Sequence, residues 1–298
     1  MSPSVAAVVV NFNSTPEIFG CIESIQEFVR PDFGVVVSNS ADDLSVLARS
    51  VEKWSNWVVQ FSGGNVGYGA AANIGATMVR ATYLAILNPD IQMTDDAILR
   101  GVEYLERNRD TGIVGVRLAD GEGRVSRTFS LSTGYLSVLR ELGPTATRGL
   151  LSRVKRLVPK PIKHAVRRMY VYSRAHSNGE SLGPVEVAAV SGACILARTA
   201  EFKYLGGFDE EFHLFWEDID LCWRYRAAGF KVVFLDIGES VHRGSTSMAR
   251  ASRIARADTY RSFRVFTKKY ADGWTLRGLS LPYVTWAYLA EFIARYVA

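Results

Sequence analysis

The apolar run at residues 5–10 restricts the fold of this chain more than any other feature. All six residues are valine or alanine, and four of them are valine. A short run without polar side chains, rich in β-branched residues, is typical of a strand buried on both faces of a parallel sheet. A polar segment follows at 11–14, and Pro16 favours a helix start, so we expect a helix to about Val29.

Strands and helices keep alternating after this first unit. The pattern predicts strands at 34–37, 57–61, 83–87 and 111–116, with helices at 42–54 and 70–79 between them. This alternation predicts an α/β fold, with a Rossmann-like and mostly parallel sheet flanked by helices. Ligands of such sheets bind beyond the carboxyl ends of the strands. The polar segments at 11–13 and 38–40 should therefore lie on the binding edge.

Cysteine usage and apolar run lengths exclude several classes of protein. The three cysteines, Cys21, Cys194 and Cys222, are far apart and form no CxxC pair, which argues against a disulfide framework or a structural zinc site. The first apolar run has no basic lead and is too short for a signal peptide. No run reaches the length of a membrane span.

The net charge of +5 is concentrated in one segment. Residues 142–179 hold nine Lys or Arg and no Asp or Glu, interleaved with apolar residues and cut by Pro159 and Pro161. Two short amphipathic helices on an anionic membrane surface would fit this pattern. Nucleic-acid binding and a solvated insertion are the alternatives.

A glycine-rich loop at 63–69 precedes the small-residue helix predicted at 70–79. Glycines let backbone N–H groups approach an anion, and a helix N-terminus adds its dipole. The pattern favours contact with a phosphate or a sugar nucleotide. A flexible turn before a tightly packed helix is the plainer interpretation.

Asp90 follows the strand predicted at 83–87, directly after Asn88 and Pro89. A carboxylate fixed at the end of a strand suits a hard divalent cation such as Mg²⁺ or Mn²⁺. A turn or helix-capping role is the alternative, since another helix is expected to begin near residue 94. His242 follows a strand predicted at 231–235 and could be a further metal or phosphate contact, or a structural residue.

Three carboxylates stand within four residues at Glu217, Asp218 and Asp220, next to several aromatic side chains. Such surroundings desolvate a carboxyl group and raise its pKa toward that of a general base, and Asp218 is our candidate for that role. Glu217 and Asp220 would tune Asp218 or bind acceptor hydroxyls, and Trp216 would stack on a sugar or pack in the core. Ordinary helix-start acids, with Asp220 in a surface ion pair, are the alternative.

Seven motifs stand in a fixed order along residues 5–247: NFNS, VSNS, GGNVGYGAAANIG, NPD, SGACILARTAEFKYLGGFDEEF, WEDIDLCWR and VHRGSTS. In this order they resemble the family 2 glycosyltransferases with the GT-A fold, in particular the bacterial rhamnosyltransferase branch acting on lipid-linked polysaccharide precursors. The resemblance implies inverting transfer from a nucleoside-diphosphate sugar, a metal motif at 88–90, Asp218 as general base and His242 as a metal ligand. Two positions depart from the family pattern. Ser38 stands where an Asp usually contacts the nucleotide base, and Asn88 opens the metal motif.

Further expectations follow from the resemblance. The donor would be a dTDP- or UDP-sugar, with L-rhamnose favoured, and the cofactor Mn²⁺ or Mg²⁺. The expected donor contacts are residues on the binding edge: Asn11, Asn13, Asn39, Asn65, Gly67, Tyr68, Asn73 and Asn88. The expected acceptor contacts are Trp216 and Asp220.

The resemblance also bears on partners and domains. We expect a polyprenyl-diphosphate-linked saccharide or polysaccharide acceptor, a peripheral position on the cytoplasmic face of the plasma membrane, no nucleic acid, and a homodimer as an open alternative. Residues 1–250 would form the catalytic domain, including the basic insertion, and 251–298 a C-terminal helical extension.

Two other functions stay open on the sequence alone. A NAD-dependent Rossmann oxidoreductase fits the spacing of Gly67, Gly69 and Ala72, with Asp90 about 20 residues on. However, that loop follows the third predicted strand instead of the first. A non-catalytic membrane- or nucleic-acid-binding module built around 142–179 is the other alternative.

Overall fold

The computed structural model describes residues 3–40, 44–119, 129–130, 183–238, 240–242 and 254–271, together with positions 285, 288 and 291. The sequence also predicts a hairpin tip at 120–123, and both this segment and the basic insertion at 142–179 lie outside these residues. Most of the aromatic C-terminal segment at 274–298 does too.

The described part contains twelve strands and seven helices. The strands are β1 Val5–Asn11, β2 Phe33–Ser38, β3 Trp57–Phe61, β4 Tyr83–Leu87, β5 Ile91–Gln92, β6 Thr111–Val116, β7 Phe129–Ser130, β8 Pro184–Glu186, β9 Ala189–Val190, β10 Cys194–Arg198, β11 Lys231–Leu235 and β12 Val241–His242. The helices are α1 Thr15–Phe28, α2 Leu44–Val51, α3 Tyr68–Met78, α4 Ala97–Arg107, α5 Thr199–Tyr204, α6 Glu217–Ala227 and α7 Ile254–Tyr270.

Eight of the strands form one sheet in the order β3-β2-β1-β4-β10-β6-β11-β8. Neighbours among β3, β2, β1 and β4 run parallel, β10 is antiparallel to both β4 and β6, and β8 is antiparallel to β11. The predicted α/β fold with a mostly parallel sheet is confirmed.

The first strand lies at the centre of this sheet because both of its faces are apolar. Every residue of β1 is buried. Ala6, Val8 and Val10 face the core beneath α3 and α6, whereas Val5, Ala7 and Val9 face the core beneath α1 and α4. Asn11 pairs in register with Ser38, so β1 and β2 end at the same edge.

Small residues let α3 approach the sheet closely. A Cβ on Gly75 would lie 2.5 Å from Val8 Cγ1 and 2.9 Å from Val37 Cγ2. No side chain fits at this position without moving one of those two valines. The small-residue composition of the helix is therefore a packing requirement, and it draws the preceding glycine loop onto the edge of the sheet.

One expected strand is divided. The sequence predicts a strand at 185–190, but the structure has β8 paired with β11 and β9 paired with β7. Val187 N–H bonds to the Val232 carbonyl between the two pieces. The two pieces pair with different strands, a change of partner that hydrophobic periodicity does not reveal.

The helix α7 packs against α6 through aromatic side chains. Trp223 lies edge-on to Phe266 and Tyr270, with ring centroids 5.2 and 4.7 Å apart. Phe263 and Phe266 belong to the same buried core as β1 and α3. Among the described residues, no helix combines the length and apolar character needed to cross a bilayer.

Candidate functional site

The structure brings Asp90 and His242 together although they are 152 positions apart in the sequence. The short strands β5 and β12 pair antiparallel with His242 opposite Ile91, the residue after Asp90. Ala119 supports β12 from the other side through bonds of 2.9 and 2.8 Å to Ser240 and His242. His242 Nε2 consequently lies 3.2 Å from Asp90 Oδ1 and 3.3 Å from Asn88 Nδ2.

This pair has the character of a cation site. The Asp90 side chain is 4% exposed, and Oδ1 is buried without a hydrogen bond of good geometry from the described residues. A carboxylate oxygen and an imidazole nitrogen that lie side by side are both groups that can bind a divalent cation. The described residues contain no group of three acidic, His or Cys side chains placed for a metal. A cation held here would need further ligands, and substrate phosphates and water are ligands of this kind.

Asp218 lies in the first turn of α6. Phe215 and Trp216 lead into this helix with φ of 66° and 73°, a left-handed conformation that is uncommon for large side chains. Asp218 Oδ2 accepts a hydrogen bond from Gly192 N–H at 2.7 Å, and Oδ1 accepts one from its neighbour Ile219 N–H at 2.8 Å. Burial raises the pKa of Asp218, while these N–H donors favour the charged form and lower it. The side chain keeps some contact with solvent.

Glu217 has the opposite environment. It is 5% exposed, and its Oε2 has no hydrogen-bond partner among the described residues. Burial, and next the charge of Asp218, raise the pKa of Glu217 well above its ordinary value. The hydrogen-bond surroundings therefore favour the charged form at Asp218 more than at Glu217.

The segment at 192–193 joins the two ends of the site. Gly192 donates to Asp218, and its carbonyl accepts the Tyr68 hydroxyl at 2.8 Å. The Ala193 carbonyl accepts Asn88 N–H at 2.9 Å. Burial raises the pKa of Tyr68 first, and the charges of Glu217, Asp218 and Asp90 add to that rise. Two consecutive residues, Gly192 and Ala193, thus connect Asp218, Tyr68 and Asn88 by hydrogen bonds.

The glycine loop is held by Asn39, which follows β2. The buried amide of Asn39 donates to Asn65 Oδ1 and the Gly67 carbonyl at 3.2 and 3.3 Å. Its Oδ1 accepts from Ser62 Oγ and Val66 N–H at 2.9 and 3.0 Å. Asn39 therefore shapes the loop with its whole side chain. Gly67, with φ of +95°, is buried.

The other residues predicted to contact the donor lie along the edge where β1 and β2 end, except for Asn73. Asn11 is buried at the end of β1, and Asn13 is exposed with φ of 53°. Asn73 is the exception, because its amide bonds to both Phe208 N–H and the Phe208 carbonyl at 2.9 Å and to Glu210 at 3.0 Å. These bonds give Asn73 a structural role in place of the predicted donor contact.

The two expected acceptor contacts point into the protein. Trp216 is 5% exposed, with its ring centroid 5.4 Å from that of Phe263. Asp220 is fully buried and accepts from Tyr270 Oη at 2.6 Å, Arg224 Nε at 2.7 Å and Lys269 Nζ at 2.7 Å. We therefore correct the predicted role of both residues, since neither presents a free surface to an acceptor. They fasten α6 to α7.

Two contributors to the site escaped sequence reasoning. Gly192 acts through its backbone, and no side-chain pattern signals a backbone donor. His213 contacts the glycine loop and α7 at once, at 3.3 Å from the Asn65 carbonyl and 3.0 Å from Asp258. Its only signal in the sequence is its position four residues before Glu217.

Comparison with known proteins gives a consistent result. The model of a family described as Glycosyl transferase family 2 matches residues 6–177, more than half of the chain. The N-acetylglucosaminyl-diphospho-decaprenol L-rhamnosyltransferase of Mycobacterium tuberculosis is 25% identical over 302 residues, covering 93% of this chain and 91% of the relative. The rhamnosyltransferase WbbL of Escherichia coli is 24% identical over 218 residues, covering 70% and 72%.

Solved structures share the fold. The mannosyltransferase PcManGT from Pyrobaculum calidifontis, in complex with GDP-Man and Mn²⁺, aligns with a TM-score of 0.57 at 16% identity, over 99% of this chain and 72% of that one. TarS from S. aureus, in complex with UDP, aligns with a TM-score of 0.58 at 13% identity, over 97% and 72%. Both are neighbours with the GT-A architecture, which the motif order implied.

Proposed function

Because this chain belongs to glycosyl transferase family 2, we propose that it is an inverting, metal-assisted transferase that moves L-rhamnose to a hydroxyl of a lipid-linked saccharide. The observation that carries this proposal is the convergence of Asp218 with the Asp90–His242 pair around Tyr68 and the segment at 192–193. The oxidoreductase alternative is dropped, since the family and the position of the glycine loop after β3 both oppose it.

In the reaction, the oxygen of an acceptor hydroxyl attacks the anomeric carbon of the donor sugar. The new C–O bond forms as the bond between that carbon and the diphosphate oxygen breaks, and the leaving diphosphate takes the electron pair. The hydroxyl proton passes to Asp218, whose carboxylate is held in place by the N–H groups of Gly192 and Ile219. General-base assistance of this kind contributes about 10²- to 10⁴-fold.

Asp90 and His242 are the residues that would hold a divalent cation, with Asn88 beside them. When bound, Mn²⁺ or Mg²⁺ would neutralise the charge that develops on the leaving diphosphate. The glycine loop and the start of α3 would lie next to the donor phosphates, and Asn39 keeps that loop in shape.

The finer choice of substrates rests on the relatives. The M. tuberculosis relative is named for transfer of L-rhamnose to N-acetylglucosaminyl-diphospho-decaprenol, and the E. coli relative is also a rhamnosyltransferase. We therefore propose a dTDP- or UDP-linked donor, with dTDP-L-rhamnose favoured, and a polyprenyl-diphosphate-linked acceptor. A peripheral position at the cytoplasmic membrane face would bring the enzyme to such an acceptor, through the basic segment 142–179.

The test is a donor screen by calorimetry with Mn²⁺ present, followed by turnover of the donor that binds. Asp90→Asn should weaken donor binding in Mn²⁺ by at least tenfold, because it removes the charged ligand of the cation. Asp96→Asn is the matched control, since Asp96 lies on the same segment but is 59% exposed and paired with Arg100. Equal donor binding by both variants, or full turnover in the presence of a chelator, would exclude the metal role. Binding of NAD without any nucleotide sugar would exclude the transferase.

A further inference from the structure

His213 lies at the meeting point of three parts of the protein. It belongs to the loop before α6, its imidazole lies between the glycine loop and α7, and it is only partly exposed. Nδ1 is 3.0 Å from Asp258 Oδ2 on α7, and Nε2 is 3.3 Å from the Asn65 carbonyl in the glycine loop. No step of the proposed reaction uses this imidazole.

The backbone of His213 touches the same loop. Its carbonyl accepts the N–H of Tyr68, the first residue of α3, at 3.0 Å. A Cβ on Gly67 would overlap that carbonyl, so only glycine allows the loop to approach this closely. The next residue, Leu214, is anchored to α7 because its carbonyl accepts Ser262 Oγ at 2.8 Å.

Hydrogen-bond chemistry selects one form of the imidazole. A carboxylate oxygen and a backbone carbonyl are both acceptors, and a neutral imidazole has a single N–H to donate. Only the imidazolium can donate to Asp258 and Asn65 at the same time. The neutral ring must give up one of the two contacts.

We propose that His213 is a positioning residue for the donor, whose imidazolium form holds the glycine loop against the start of the catalytic helix. The inference rests on the proposed function, because it assigns donor binding to that loop. Three residues, of which 215 and 216 are left-handed, connect His213 to Glu217 and Asp218. The contact therefore joins the donor loop to the segment that leads into α6.

The charged groups near the ring support this assignment. Among the described residues, Asp258 and Arg261 of α7 act on it by their charge, and the glycine loop contributes the Asn65 carbonyl. The bond to Asp258 raises the pKa of His213, burial opposes that rise, and the Asn65 carbonyl adds to it. The folded-state pKa is thus above the ordinary value of about 6.5. The stabilisation that His213 gives to the glycine loop is accordingly present at low pH and is lost as the pH rises through the raised pKa of His213.

The experiment measures the dissociation constant of the nucleoside diphosphate that binds the wild type, in Mn²⁺, from pH 6 to 9. The quantity followed is the ratio of the His213→Ala constant to the wild-type constant, because titration of the nucleotide itself cancels in that ratio. We expect a ratio of about ten at the acidic end, because the variant lacks one charge-assisted hydrogen bond there. The ratio should fall toward about two above the pKa of His213. At saturating donor, kcat should stay within about twofold of wild type.

Two further variants distinguish positioning from a general structural effect. Asp258→Asn removes the carboxylate that raises the pKa of His213. The loss of nucleotide affinity with rising pH should therefore occur at lower pH in this variant. His213→Gln keeps one N–H donor at every pH, so its affinity should be intermediate and its ratio to wild type less dependent on pH.

The outcomes separate the role of His213 from the proposed transferase function. A ratio that is constant across the pH range, or a transition unmoved by Asp258→Asn, overturns the role of His213 while the transferase stands. If the wild type binds no nucleoside diphosphate at any pH, the proposed function fails and this inference fails with it.

Discussion

Replacing Glu217 and Asp218 one at a time separates two adjacent carboxyl groups with opposite surroundings. Asp218 receives two backbone N–H donors at 2.7 and 2.8 Å, whereas Glu217 Oε2 is buried with no partner in the described part of the chain. A hydrogen bond to a charged group contributes about 1.5–3 kcal/mol. Two such bonds favour ionisation of Asp218 over Glu217 by about 3–6 kcal/mol, a factor on the order of 10² to 10⁴.

The expected kinetic result follows from that difference. Glu217→Gln replaces a neutral acid by a neutral amide of similar shape, so kcat should change by less than about fivefold. Asp218→Asn removes the base and should lower kcat by about 10²- to 10⁴-fold. The assay is release of nucleoside diphosphate at saturating donor and acceptor, with Glu211→Gln, an exposed acid of the same loop, as control.

The pH profile gives a second and independent readout. Burial raises the pKa of Asp218, so activity should be lost as the pH falls through that raised value. If Glu217 is neutral, Glu217→Gln leaves this acidic limb where it is. A limb that moves to lower pH would mean that a charged Glu217 had been raising the pKa of its neighbour. That shift, or a Glu217→Gln enzyme as inactive as Asp218→Asn, would refute the assignment of the proton.

Two further predictions concern the scaffold. Asp220→Asn removes the buried negative charge that pairs with Arg224 and should lower the free energy of unfolding by about 3 kcal/mol in urea titrations, with kcat retained at a temperature where the protein is folded. Asp96→Asn breaks an exposed ion pair of the same (i,i+4) spacing and should cost under about 1 kcal/mol; equal losses would contradict the burial argument. Gly75→Ala places a Cβ 2.5 Å from Val8 and should destabilise the protein by about 1–3 kcal/mol, although alanine favours a helix by about 1 kcal/mol; a more stable variant would show that α3 can move away from the sheet.

Much of the fold could be predicted from residue order. The β-branched run at the start of the chain needs an apolar environment on both faces, so it becomes the central strand β1. The strand–helix alternation then sets a parallel sheet, and the polar segments that follow the strands must lie along one edge. This is why the sequence alone pointed to Asn39, Gly67 and Asp90 as neighbours of a ligand.

The division of roles within the site was decided only by tertiary structure. His242 reaches Asp90 through β5 and β12, two-residue strands too short to have a hydrophobic period. Asp218 differs from Glu217 because Gly192, a residue distant in the chain, donates its backbone N–H to only one of them. Every residue except proline carries that N–H group, so its placement depends on how the strands pack and leaves no trace in the sequence. Sequence thus determined which strands and polar segments form this edge, and packing determined how the polar groups there are paired.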